Sequence, residues 1–206
     1  MKKIIVSLFV LALIGCYSVR VWSINQNVPL PPVYTYKIGE EVAIENDIFL
    51  DAYENMNGYT VTVDEATILS IDDFIDKYDA YNRLEEWEGD ITEMVYDLTI
   101  TIKNTNVMDD PLDDFNGMQL IHYNLIATNF TLSYNSELFQ MANPDLAELD
   151  MMSSFKLRPE SEMQLHVPFP FSPNSQLKSS VETIKNNDLY LYVSLYPNEK
   201  RILIHE

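Results

Sequence analysis

The clearest pattern in the chain is a strict alternation from Met94 to Lys103. Met94, Tyr96, Leu98, Ile100 and Ile102 face one way, and Val95, Asp97, Thr99, Thr101 and Lys103 the other. Period two marks a strand with one buried face, which places Leu98, Ile100 and Ile102 in the core. After the turn signal Asn57-Gly58, Tyr59, Val61 and Val63 alternate with Thr60, Thr62 and Asp64. Asp64-Glu65 interrupts that pattern and predicts a bulge before the strand resumes toward Ile71. Tyr34 to Asn46 reads as a strand, a turn centred on Gly39 and a second short strand. Met118 to Tyr134 holds at least one long strand. Phe155 to Pro159 and Glu162 to Phe169 read as two more. Leu189 to Tyr196 and Arg201 to His205 finish the chain, joined by Pro197 to Lys200.

The period changes between Asp72 and Glu88. Phe74, Ile75, Tyr78, Tyr81 and Leu84 recur at helical spacing, with Ser70 or Asp72 to cap the start and Gly89 to end it. The acidic side of this surface helix carries Asp73, Asp76, Asp79, Glu85 and Glu86. A short helix also fits Asn143-Pro144-Asp145-Leu146 inside the polar stretch Glu137 to Asp150. No repeat of fixed period is present. Seven to nine strands separated by turn signals, with one clear helix, predict an all-β fold. The expected form is an antiparallel immunoglobulin-like β-sandwich with one inserted surface helix, preceded by an N-terminal apolar helix.

The first 22 residues carry a different signal. Met1-Lys2-Lys3 is followed by an apolar run from Ile4 to Gly15. Lysines held on the cytoplasmic side direct the downstream chain across the bilayer. Two readings of this leader stand. Leu13-Ile14-Gly15-Cys16 fits a lipobox, and Cys16 is the only cysteine, which makes it the candidate lipid anchor. Alternatively the run is an uncleaved anchor. The 16 residues from Ile4 to Val19 fall short of the ~20 that span a bilayer, but Arg20 can snorkel and Trp22 can sit at the interface. Simple cleavage to a soluble product is a third route, with no obvious cleavage site. The expected organisation is a signal or membrane anchor over residues 1–22, a Pro-bearing tether over 23–33 and an extracellular domain over 34–206. Pro29, Pro31 and Pro32 stiffen that tether toward polyproline II.

A resemblance rests on these parts together. The leader and tether precede Tyr59-Thr60-Val61-Thr62-Val63, then a strand ending Leu98-Thr99-Ile100-Thr101-Ile102-Lys103-Asn104-Thr105. Phe155-x-Leu157-x-Pro159 and a strand ending Val167-Pro168-Phe169 come later. The chain resembles anchored extracellular immunoglobulin-like or telokin-like domains of unknown function from Gram-positive bacteria. The resemblance covers roughly Val42 to the end. It implies a fold and a location and brings no catalytic residues.

Charge narrows the partners. The formal net charge is −19; without Lys2, Lys3 and Arg20 it is about −22, a field that repels phosphate backbones. Nucleic acid is excluded as a partner, and divalent cations and basic proteins are attracted. With no second cysteine to pair, the domain must stand on its apolar core.

Candidate chemistry is sparse. Asp109, Asp110, Asp113, Asp114 and Asn116 offer the hard oxygens calcium requires. The EF-hand register fails: aligning Asn116-Gly117 with its turn puts Leu112 at the first ligand and Tyr123 at the last. Of these, Asp110, Asp113, Asp114 and Asn116 are the candidate metal ligands, with a solvated loop as the competing reading. His122, His166 and His205 lack a second ligand at metal spacing and read as ordinary strand residues. No nucleophile elbow, zinc motif or phosphate loop is present. Carboxylate pairs such as Asp72/Asp76 and Glu85/Glu86 arise by chance at this acidic density. The tyrosines, among them Tyr34, Tyr36, Tyr53, Tyr59, Tyr78, Tyr81, Tyr190, Tyr192 and Tyr196, with Trp87, supply either a core or a binding face. The expectation is a membrane-tethered extracellular interaction or structural module without catalytic activity and without a cofactor. Its contacts are the cell membrane through the N-terminus and a protein or envelope partner. The alternatives are a calcium-dependent binding domain using Asp109–Asn116 and an unrecognised cell-envelope hydrolase.

Overall fold

The structure is a computed structural model that describes residues 2–26, 28, 30–50, 54–82, 93–108, 117–119, 123–146, 154–172 and 181–204. It divides into two compact units, Met1–Pro31 and Pro32–Glu206. In the first, helix α1 spans Lys2–Gln26. It runs past Trp22, so Ser23 to Gln26, expected in the tether, are helical. Among the described residues no helix is long and apolar enough to cross a membrane.

The second unit is mostly β. Its strands are β1 (Val33–Lys37), β2 (Val42–Ala43), β3 (Tyr59–Ser70), β4 (Met94–Asn104), β5 (Met118–Gln119), β6 (Asn124–Ile126), β7 (Thr131–Ser133), β8 (Ser154–Phe155), β9 (Ser161–Phe171), β10 (Leu189–Ser194) and β11 (Glu199–Ile204). Helices α2 (Ile71–Lys77), α3 (Ser136–Ala142) and α4 (Val181–Lys185) interrupt them. One sheet has the order β1-β11-β10-β6-β7, a second β2-β3-β4-β9, and β5 pairs with β8. The first two share one apolar core. Val61, Val63, Leu98, Ile100, Ile102, Leu165 and Val167 come from one sheet, and Leu125, Leu191, Val193, Ile202 and Ile204 from the other.

The alternation in β4 holds: Leu98, Ile100 and Ile102 are fully buried against that core. β3 carries the expected bulge, with the register against β4 shifting between Val63 and Glu65. The Asn57-Gly58 turn also forms. Gly58 has φ 85°, a conformation that favours glycine, and a Cβ there would also push the Asn106 side chain aside. Pro168 and Pro170 fit inside β9 because β9 is an edge strand, where a missing N–H breaks no ladder.

Several expectations are corrected. The sheet is not wholly antiparallel, because β1 pairs with β11 in parallel, Thr35 opposite Arg201. β3 and β4 are consecutive in chain and adjacent in one sheet. Among the described residues Met118 to Tyr134 holds three short strands, the last two joined by a turn in which Ala127 N donates to Phe130 O. There is more than one inserted helix. Helix α2, capped by Ser70 Oγ on Asp73 N at 3.1 Å, ends at Lys77 and not near Gly89. Asp79 takes the left-handed conformation (φ 48°), Ala80 N reaches Ile75 O and Asp79 N reaches Asp76 O. That is a Schellman stop with Asp in the position glycine usually fills. Residues 83–92, with Leu84, Glu85, Glu86 and Trp87, lie outside the described residues. Helix α3, capped by Asn135, has no counterpart in the sequence reading and buries Leu138, Phe139, Met141 and Ala142. With Phe74, Ile75 and Ala80 it forms a second small core on the Val95 face of β4. A 3-10 turn follows at Pro144–Leu146, where a short helix was expected.

Candidate functional site

Two polar constellations stand out in the second unit. The first is built where the edges of the two main sheets meet. Lys200 on β11 alternates with the outward-facing Glu199 and Arg201, so its side chain turns inward and is 4% exposed. A buried ammonium is tolerated only when charge and hydrogen bonds replace its water. The segment after β2 supplies both. Lys200 Nζ donates to the main-chain oxygens of Ala43 at 2.7 Å and Ile44 at 3.2 Å. It lies 2.7 Å from Glu45 Oε2 and 2.8 Å from Asp47 Oδ2. Glu45 adopts φ 61°, an uncommon conformation for glutamate that folds these acceptors around one nitrogen. Asp47 is 3% exposed, and its other oxygen accepts from Asn198 N and Nδ2. Burial alone would lower the Lys200 pKa, but the Asp47 and Glu45 carboxylates outweigh it and the net shift is upward.

Above this clamp lies a cleft of about 370 Å³ lined by Tyr34, Tyr36, Glu41, Ala43, Glu45, Asn198 and Lys200. The parallel register sets Tyr34 opposite Lys200 and Tyr36 opposite Ile202. That pairing gives the cleft its aromatic wall. Tyr34 remains 48% exposed. Glu41 accepts from Thr60 Oγ1 at 2.5 Å, and more than two-fifths of its side chain is open to solvent. Lys200 answers Asp47 and Glu45 together, and Lys103 Nζ stands 3.9 Å from Glu41 Oε1, so the three carboxylates exceed the two ammonium groups by one and the rim keeps a net negative character.

The second constellation lies beside the small helical core. Asp97 on β4 is 2% exposed. Its Oδ2 accepts from Lys77 Nζ at 2.9 Å and Tyr78 Oη at 2.5 Å. Among the described residues its Oδ1 has no hydrogen-bond partner, and His166 Nδ1 on β9 stands 3.9 Å away. Thr99 Oγ1 lies 3.3 Å from the same nitrogen. Asn143 fixes the His166 main chain, accepting from its N at 2.8 Å and donating to its O at 2.7 Å. The His166 pKa is lowered chiefly by burial, partly opposed by the Asp97 charge. The Tyr78 phenol is pushed far up by burial, then by the charge of Asp97 and the hydrogen bond to it.

Thr, His and Asp in one cluster invite comparison with a hydrolase triad, and the wiring does not match. A triad needs the hydroxyl on one ring nitrogen and the carboxylate on the other. Here both approach Nδ1, and Asp97 is committed to Lys77 and Tyr78. This network ties α2 to β4 and β9.

The residues singled out in the sequence fare unevenly. Cys16 lies on α1 and is exposed. Asp110, Asp113, Asp114 and Asn116 lie outside the described residues, as do His122, His205 and Tyr53. Among the described residues no group of three or more His, Cys, Asp or Glu is arranged to hold a metal ion. His166, expected as an ordinary strand residue, sits in the Asp97 network. Tyr190 and Tyr192 face outward, with the Arg201 guanidinium 4.1 Å above the Tyr190 ring centre. Lys200 and Asp47 escape the sequence reading. The one signal available is the lysine in Glu199-Lys200-Arg201-Ile202, whose alternation sets it on the Ile202 face.

The chain belongs to the family described as Domain of unknown function (DUF5028), which matches residues 33–200. None of the curated proteins compared matches it. A crystal structure of a conserved hypothetical protein from Bacillus anthracis is similar at 11% identity and a TM-score of 0.38, over 79% of this chain and 95% of that one.

Proposed function

We propose that the protein is an extracytoplasmic interaction module, held at the membrane by its N-terminal segment and without catalytic activity of its own. The observation that carries this reading is the cleft over Lys200. It has two tyrosines and two carboxylates on its rim, a floor whose lysine is fully engaged, and no nucleophile paired with a base. Aromatic and charged side chains around a recess suit recognition of a charged partner. The leader supports the location: Lys2-Lys3 before an apolar run directs export, whether through lipidation at Cys16 or through retention of the helix. The immunoglobulin-like comparison is carried at the level of layers, two sheets over one core. Recognition at the sheet edge next to β1 suits such a scaffold.

Protease shaving of intact cells, followed by membrane fractionation, tests the reading. The Pro32–Glu206 unit should be digested from outside while an N-terminal fragment stays in the membrane fraction. Full protection until lysis would sink it. Cys16→Ala then separates the anchors: loss of an acyl label marks lipidation, and unchanged membrane retention marks the uncleaved helix.

A further inference from the structure

The edge of β1 beside the cleft is open, and its chemistry specifies what it takes. Among the described residues β1 pairs only with β11. Glu199 N donates to Pro32 O, and Lys37 N turns away to Glu40 Oε2 at 2.7 Å. In a parallel ladder the main-chain groups of successive residues alternate in direction. Tyr34 and Tyr36 therefore bond β11, and the N–H and C=O of Val33 and Thr35 point off the sheet. Among the described residues no main-chain hydrogen bond outside the β1–β11 ladder reaches either. Their neighbours Tyr34 and Tyr36 turn their rings into the cleft with Glu41 and Glu45. A strand added to β1 would place every second side chain over that recess, where aromatic faces and carboxylates favour a cation.

We propose that β1 and the adjoining cleft bind an extended, lysine- or arginine-bearing segment of a partner protein by strand addition. This inference rests on the interaction-module reading and names the partner class. The overall charge of −19 acts in the same direction, steering basic partners in and acidic ones away.

The test uses the full chain in detergent micelles and a capped peptide of alternating Thr and Lys, with a control bearing Glu for each Lys. Main-chain amide exchange is followed by NMR. In the free protein Thr35 should exchange fast and Tyr36 slowly. Saturating Thr-Lys peptide should slow Thr35 at least tenfold and leave Tyr36 unchanged. Thr35→Pro removes the outward N–H without touching the ladder and should weaken binding at least tenfold. Thr35→Val keeps that N–H and should bind as wild type. Glu41→Gln should weaken binding at least threefold at low salt, with the difference shrinking as salt rises. No saturable binding, equal binding of the Glu control, or unchanged Thr35 exchange would each overturn the inference. If it fails while a cross-linker at Tyr34 still captures a cell-surface partner, only the basic-strand assignment falls. If the cross-link is absent too, the interaction-module reading falls with it.

Discussion

Replacing Lys200 with methionine probes the junction of the two sheets. The substitution keeps the aliphatic stem and removes the ammonium. Asp47, 3% exposed, would keep Asn198 on Oδ1 but lose the cation 2.8 Å from Oδ2. The Ala43 and Ile44 oxygens lose their shared donor as well. Removing one member of a buried pair costs about 3–5 kcal/mol, because the survivor is left charged in a medium that cannot solvate it. Each unsatisfied buried oxygen alone costs about 1–3 kcal/mol, a part of the same event and not an addition to it. Against the ~5–15 kcal/mol of an ordinary domain, Lys200→Met should remove about a fifth of the stability or more. Urea unfolding followed by circular dichroism reads this as a lower midpoint at unchanged slope. Adding Asp47→Asn keeps the acceptor for Asn198 and deletes the orphan charge, so the double variant should recover at least ~1–2 kcal/mol. A single-variant loss under ~1 kcal/mol, or no recovery in the double, would refute the clamp. The pKa of Lys200 is raised on folding, so its contribution is complete below the ordinary lysine value and disappears only as pH rises through the higher folded one. Any weakening near neutral pH must come from elsewhere.

Other outcomes rest on the same structure. Ile100, fully buried at the centre of β4, should cost ~2–5 kcal/mol on truncation to alanine, measured by the same unfolding assay; a melt like wild type would place it off the core. His166 has a folded pKa below its unfolded value of ~6.5, so the unfolded chain takes up the proton first and stability should fall as pH drops below that point. His166→Gln should flatten this dependence between pH ~7.5 and ~5.5, and an unaltered slope would exclude His166 as its source. The large negative charge should make the melting temperature rise from low to moderate ionic strength, and calcium should add nothing beyond sodium at equal ionic strength. A micromolar calcium effect, removed by substituting Asp110 and Asp113 with Asn, would promote the loop to a cation site.

Local order is legible in the sequence where neighbours along the chain decide it. The alternation of Leu98, Ile100 and Ile102 follows from period two, and the β3 bulge from the charged pair Asp64-Glu65. The end of α2 is not legible, because Asp79 entering the left-handed region is a property of its context, not of its type. Alternation puts Asp97 on the open side of its strand. It is buried because Lys77 at the end of α2 and Tyr78 after it close on its carboxylate, an effect with no imprint in the alternation itself. The cleft is beyond reach for a related reason. Tyr34 meets Lys200 only through the parallel β1–β11 pairing, and Asp47 reaches it only through the turn at Glu45. Sequence patterns resolve which face a residue takes; they do not resolve which distant strand lies beside it.

The proposed recognition surface of this outward-facing module is the β1 edge and its cleft. A photo-cross-linking residue at position 34, on intact cells expressing the full chain, tests it most directly. The control carries the same residue in place of Thr131, exposed on β7 at the far edge of the same sheet. One discrete cross-linked protein is expected from position 34, lost on adding Glu41→Gln or on competition with the Thr-Lys peptide, and none from position 131. Equal cross-linking from both positions, or a cross-link at 34 indifferent to Glu41 and to the peptide, would contradict it.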